Sequence, residues 1–295
     1  MSSKISERYR DLIIQMVKNS SQSATVTGAN TFQPGNLTNR PYIEKMLADQ
    51  MLPQSRIEGL ENLLDLHRRC EQGASCLILM EHYSNFDLPA FVYLLERSGA
   101  EGRAAADSII AIAGLKLNAE SDMVLSFTEA YSRIVIYPSR YFDSITDPEV
   151  LKAERAKSNA INRAALHEMV RCKHEGHIIL VFPAGTRYRP DKPDTKRGLK
   201  EIDSYVKAFD YMVFIGSGGN LLRINPNGDM SEDILAEDTV IFKIGPVVGC
   251  QEFRSHAREA AAEGSDAKRF TVDRVMEELE KLHKEIEAIR EPKTL

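Results

Sequence analysis

The chain has little that would tie it to a membrane, an oxidising compartment or a polyanion. No apolar stretch approaches the roughly 18–20 residues needed to span a bilayer; the longest runs are 76–80, 177–183 and 212–215. The opening residues, Met1-Ser2-Ser3-Lys4-Ile5, lack the apolar segment of a secretory signal. Cys70, Cys76, Cys172 and Cys250 form no Cys-x-x-Cys pair, so reduced thiols in a cytosol are expected rather than a disulfide framework. A formal net charge of −5 gives no global attraction for nucleic acid or anionic lipid, and any anion site must be a local cluster. No Gly-x-Ser-x-Gly elbow is present, which argues against a serine hydrolase with a covalent acyl-enzyme.

What is there reads as an ordinary globular protein. Hydrophobic residues make up 43% and charged residues 27%, which excludes a disordered or collagen-like chain. A length of 295 residues suits one large domain or a core domain with a smaller extension. Residues 1–74 read as a helical extension that packs on the main domain. Ile5, Tyr9, Leu12, Ile13, Met16 and Val17 recur at helical spacing. Residues 20–40, with Thr27-Gly28 and Pro34-Gly35, read as a loop. Ser55-Arg56-Ile57-Glu58 has the capping-box pattern and predicts a helix from there to about Arg69.

From residue 75 to 295 the pattern changes. Short apolar runs at 76–80, 109–113, 134–137, 178–182, 212–215 and 240–244 predict buried strands. Helices are expected near 87–97, 121–131, 148–173 and 198–209. Asp147, Pro148 and Gly176 punctuate the long one. The alternation predicts an α/β fold: a largely parallel mixed sheet flanked by helices, with the small N-terminal helical extension. Val272, Val275, Met276, Leu279, Leu282, Ile286 and Ile289 form an apolar stripe. Its polar side is mixed in sign, so packing on the domain is expected rather than a membrane surface.

Two segments carry chemistry. In Glu81-His82-Tyr83-Ser84-Asn85-Phe86-Asp87, His82 and Asp87 would lie about 140° apart on a continuous helix and could not meet. Across a strand-to-helix turn they can. A carboxylate on one ring nitrogen would then leave the other as a base. The bland alternative is a helix-capping aspartate beside an incidental histidine. The second segment, Phe182-Pro183-Ala184-Gly185-Thr186-Arg187-Tyr188-Arg189-Pro190, also follows an apolar run. Arg187 and Arg189 offer fork-shaped donors that suit phosphate. The small Ala184-Gly185-Thr186 run lets backbone N–H groups approach a ligand. A solvated basic loop is the alternative reading.

Three further features are read as structural. The glycines of 214–220 lack the lysine and spacing of a P-loop and predict a flexible loop bordering the cleft. His174 and His177 have no third ligand nearby, and a zinc site needs at least three, so no metal is expected. His67, His167 and His283 lie in charged helical stretches and read as solvated.

His-x4-Asp followed about a hundred residues later by Phe-Pro-x-Gly-Thr-Arg resembles the PlsC-like glycerolipid acyltransferase superfamily. The resemblance covers roughly residues 75 to 250. It implies that the His82/Asp87 pair is catalytic and that the second motif holds the phosphate of glycerol 3-phosphate or its acylated form. Gly185-Thr186-Arg187-Tyr188-Arg189-Pro190 and Tyr137-Pro138-Ser139-Arg140-Tyr141-Phe142 resemble segments of the soluble, plastid-type glycerol-3-phosphate acyltransferases more closely. By that resemblance Arg140, Arg187 and Arg189 grip the acceptor phosphate, with Tyr141 where the family has His. Ala184 stands where the superfamily usually has Glu, a glutamate that the plastid-type branch also lacks. Ile244-Gly245-Pro246-Val247-Val248 resembles the block that shapes the acyl pocket.

The resemblance implies acyl transfer without a cofactor. The donor would be an acyl carrier protein or acyl-CoA, and the acceptor glycerol 3-phosphate, with lysophosphatidate as the alternative. A silent lipid- or carrier-binding module on the same fold is the rival outside enzymology. Backbone N–H groups around Gly185 and Thr186 are candidates for the oxyanion. Lys192, Lys196, Arg197 and Lys200 could offer a basic patch to an acidic carrier. Lipid products imply transient contact with a membrane surface by an otherwise cytoplasmic protein.

Overall fold

The computed structural model describes residues 3–226, 228–259 and 266–290; the outermost residues of the two predicted segments, 1–2 and 291–295, lie outside them. The chain opens with α1 (Ile5–Arg8), α2 (Arg10–Asn19), β1 (Phe32–Gln33), α3 (Arg40–Gln50), β2 (Arg56–Glu58) and α4 (Leu60–Glu71). Then come β3 (Cys76–Met80), α5 (Asp87–Glu96), α6 (Ala100–Ser108), β4 (Ile109–Gly114), α7 (Lys116–Ala119), α8 (Asp122–Thr128) and β5 (Arg133–Ile136). The long α9 (Pro148–His174), β6 (Ile178–Val181), α10 (Ile202–Ala208) and β7 (Tyr211–Gly218) follow. The chain continues through β8 (Leu222–Arg223), β9 (Ile234–Leu235), β10 (Ile241–Ile244), β11 (Val248–Gly249), α11 (Cys250–Glu259) and α12 (Ala267–Ile289).

Nine strands of the described residues form one sheet in the order β1-β5-β4-β6-β3-β7-β10-β2, with β11 paired to β7. The run from β5 to β7 is parallel, and β10 turns antiparallel against β7. This is the mixed, largely parallel sheet that the apolar runs predict. All five residues of β3 are buried because both faces are covered. Cys76, Ile78 and Met80 join one core with α3–α6, and Leu77 and Leu79 join the other with α9–α12.

The N-terminal segment does more than cap. Ile5, Met16, Ile43, Leu47, Leu63 and Leu66 belong to the same core as β3. Its short β1 pairs antiparallel with β5, and β2 pairs parallel with β10, so it forms both sheet edges. Here the capping-box expectation fails. Residues 56–58 are a strand whose neighbour Ser55 accepts the Val240 N–H through its hydroxyl at 2.9 Å. Gly59, at φ +74°, breaks the strand, and the helix starts only at Leu60.

The glycines of 214–220 are also misread as a loop. Gly216 and Gly218 lie inside β7. A Cβ on Gly216 would sit 2.7 Å from Leu282 Cβ and 3.0 Å from the His283 backbone nitrogen. The missing side chains let α12 settle directly on the strand, and its stripe from Val272 to Ile286 is buried there, while Ile289 stays exposed. Among the described residues, no helix is long and apolar enough to cross a membrane.

Candidate active site

β3, β6 and β7 run parallel, so the loops after their carboxyl ends gather at one edge of the sheet. His82 follows β3 in a turn that leads into α5, and Asp87 is that helix's first residue, where a negative charge suits the helix dipole. The turn brings the pair together: His82 Nδ1 lies 3.0 Å from Asp87 Oδ2. The same oxygen accepts the backbone N–H groups of Tyr83 at 2.6 Å and Ser84 at 2.8 Å. A carboxylate that already accepts two backbone N–H groups suits a donor at Nδ1, which leaves Nε2 as the nitrogen that can act as a base. The Asp87 side chain is 6% exposed and that of His82 18%, so the carboxylate is shielded while the ring stays reachable.

The second motif lies against the first. Phe182 stacks on the His82 ring at 4.1 Å between centroids and 20° between planes. The Tyr188 N–H donates to the His82 carbonyl at 2.8 Å. Behind the turn, Tyr83 stacks on His283 of α12 and donates to Glu81. His283 is therefore not solvated: its Nδ1 lies 2.8 Å from the Ser217 carbonyl and 3.3 Å from Glu81 Oε2. Burial lowers the basicity of this imidazole, but the Glu81 carboxylate outweighs it, and the net pKa is raised. Burial also raises the Tyr83 phenol, with Glu81 acting in the same direction.

His82 opens onto a cavity of about 510 Å³ that straddles the end of the sheet. One arm runs under α5 and α8, lined by Phe86, Ala111, Phe127 and Tyr131 from the first core. The other lies between α9 and α10, lined by Ile112, Ile134, Ala165 and Tyr205 from the second. Both are overwhelmingly apolar, and neither was visible in the sequence. Buried Arg133, at the foot of the first arm, has its pKa lowered to about 10 by burial, against the pull of Glu129.

The three predicted guanidinium groups do not share one place. Arg140, in the turn after β5, lines the cavity together with His82 and Gly185. Its Nη2 donates to the Ala184 carbonyl at 2.9 Å, and among the described residues it pairs with no carboxylate. Gly185, at φ +60°, makes room for it, since a Cβ there would sit 2.9 Å from that nitrogen. Arg187 is instead bound to the buried carboxylate of Asp233, outside the cavity lining. Burial raises the Asp233 pKa and Arg187 opposes it, so the ion pair holds a charge that would otherwise be costly. Arg189 also lies outside the lining, its Nε 3.4 Å from Asp191. Among the described residues the expected trio is thus one guanidinium without a carboxylate and two committed ones: Arg187 to Asp233, 46 residues on, and Arg189 to Asp191, two residues on.

Other expectations change in the same way. The Gly185 N–H closes its own turn onto the Phe182 carbonyl at 2.8 Å, so it is not free for an oxyanion. Thr186 is half-buried in that turn. Tyr141 accepts the Lys116 N–H through its hydroxyl at 3.0 Å. In the basic stretch, Lys196 pairs with Glu280 and Lys200 with Asp266. Residues 244–248 lie beyond β3, beside β7, and do not line the cavity.

Fold and site together define an α/β protein with a His/Asp pair at the carboxyl end of a parallel strand, facing an apolar cavity. No protein-family model matches the chain, and no curated protein matches it. Among solved structures it is similar to the 1-acyl-sn-glycerophosphate (LPA) acyltransferase PlsC from Thermotoga maritima, at 15% identity, over 97% of this chain and 90% of that one, with a TM-score of 0.43.

Proposed function

We propose that the protein is an acyltransferase that moves a fatty acyl group from a thioester to the hydroxyl of a phosphorylated glycerol. The observation that carries this is the placement of a carboxylate-held imidazole at the mouth of a large apolar cavity, with the Arg140 guanidinium, which pairs with no carboxylate among the described residues, in the same wall. Apolar arms suit hydrocarbon chains, and Arg140 suits the acceptor phosphate. His82 Nε2 takes the hydroxyl proton while the alcohol oxygen attacks the thioester carbonyl. The tetrahedral intermediate collapses by breaking its C–S bond, and the imidazolium returns the proton to the departing thiolate. Phe182 and Asp87 hold the ring in position for both transfers.

The motifs resemble those of enzymes acting on glycerol 3-phosphate, which needs space for one chain only. A second arm on the opposite face of the sheet favours an acceptor that already carries a chain, as lysophosphatidate does. A transfer assay crossing acyl carrier protein and CoA thioesters with glycerol 3-phosphate and lysophosphatidate tests the reading. Transfer to either acceptor that requires His82 is the expected result. No transfer with any of the four pairs would overturn it and leave a binding module.

A further inference from the structure

The two arms of the cavity differ in their contact with solvent. The arm under α5 is lined by buried side chains such as Ile5, Phe86 and Leu222 and by the half-buried Leu88, Met123 and Phe127. The other is a slot. α9 packs on β5 and β6, while α10 packs on α11 and α12, and the cavity fills the space between the two helices. Leu166 lines this slot yet is 52% exposed, and Val170, one turn further along α9, is 41% exposed. Ser204 and Ala208 form the opposite lip and are exposed as well. Lys173 Nζ donates to the Ala208 carbonyl at 3.0 Å and ties the two helices together.

The charge around this lip runs against that of the whole chain, which carries a net −5. Arg163 and Lys207 are exposed positions of α9 and α10, the helices that flank the slot, and among the described residues neither pairs with a carboxylate. Lys173 adds a third cation, and the acids near the same mouth are Glu201, held by the Ser139 hydroxyl, and Asp210, whose carboxylate interacts with Lys173. A chain delivered by a water-soluble carrier can thread into a closed arm from its end. A slot that breaks the surface along its length, with an apolar lip and a cationic rim, suits a chain that slides in sideways from a lipid layer.

We propose that the α9–α10 slot is a lateral entrance for a lipid chain and that its lip docks on an anionic bilayer. Leu166 and Val170 enter the interfacial layer, and Arg163, Lys173 and Lys207 face lipid phosphates. This rests on the reading that the cavity holds lipid chains.

The test is co-sedimentation of the full chain with phosphatidylcholine vesicles, with and without phosphatidylglycerol, in the absence of acyl donor and acceptor. The wild type should partition onto the anionic vesicles. Each cation near an anionic surface contributes roughly fivefold, so Arg163→Glu/Lys207→Glu should weaken partitioning by about 25-fold or more. Leu166→Asp/Val170→Asp should weaken it by about tenfold. Ile14→Asp/Leu37→Asp, exposed apolar positions on the N-terminal side, should leave it unchanged. The proposal is overturned if the wild type does not bind, if the slot variants bind as the wild type does, or if the control pair loses binding equally. It is also overturned if the slot variants lose only an acidic carrier protein and keep the vesicles. Because no turnover is read, retained transfer with failed docking would remove this inference alone.

Discussion

The two halves of the sheet are built from similar strands and end in opposite ways. Over β7 the covering helix α12 sits so close that two strand positions must be glycine, and the space is filled. Over β4 the helices stand off, and the same kind of apolar strand residue lines a void instead of a core. Close packing is the usual state of a protein interior, so a void of this size at the strand ends marks the half where a ligand supplies the missing contacts. The filled half anchors the turn behind His82 through Glu81, Tyr83 and His283. One half holds; the other binds.

Substitutions sharpen that contrast. The largest effect is expected from His82→Ala, which should lower kcat by about 10²–10⁴-fold with the melting temperature unchanged; a comparable loss of stability would mean that the ring belongs to the packing. Next, Arg187→Ala should destabilise by about 3 kcal/mol in chemical denaturation, because it leaves the buried Asp233 carboxylate unpaired. Arg140→Ala should instead leave stability alone and raise KM for the phosphorylated acceptor roughly 10–100-fold, as lost charge-assisted contacts do. If the two arginine variants exchanged phenotypes, the assignment of free and committed cations would be reversed.

Smaller effects separate filled from hollow. Gly216→Val should cost about 2 kcal/mol, since its branches meet Leu282 and the α12 backbone. Ala113→Phe, in the cavity wall, should cost less than about 1 kcal/mol and shift the donor preference toward shorter chains. The smallest effect is expected at His283. Its folded pKa lies above its ordinary value of 6.5, so the stabilisation by Glu81 is fully present below that value and is lost as pH rises through the folded pKa. Melting curves of wild type and His283→Gln should therefore differ most below pH about 6.5 and converge on the alkaline side. A gap that widened with pH would contradict the ion pair.

Much of this was legible in the residues themselves. Buried parallel strands write continuous apolar runs, and each of the six predicted runs corresponds to a strand of the sheet. His82 and Asp87 were legible because a strand-to-helix turn follows the run. β2 was not, since Ser-x-x-Glu reads the same whether it caps a helix or pairs with a distant strand. α6 was missed because its alanines give no strong apolar stripe. The fate of Arg187 depends on Asp233, 46 residues away, and that of His283 on Glu81 and the Ser217 carbonyl in other parts of the chain. The cavity is the least legible feature, because a void is set by how far helices stand from a sheet, which no local pattern records.

The most direct measurement is single-turnover transfer of a labelled acyl group from a thioester, with lysophosphatidate and glycerol 3-phosphate as acceptors, using wild type and His82→Ala. Rapid transfer by the wild type and its loss by about 10²–10⁴-fold in the variant are the predicted results. Equal rates in the two proteins would contradict an imidazole acting at the mouth of that cavity.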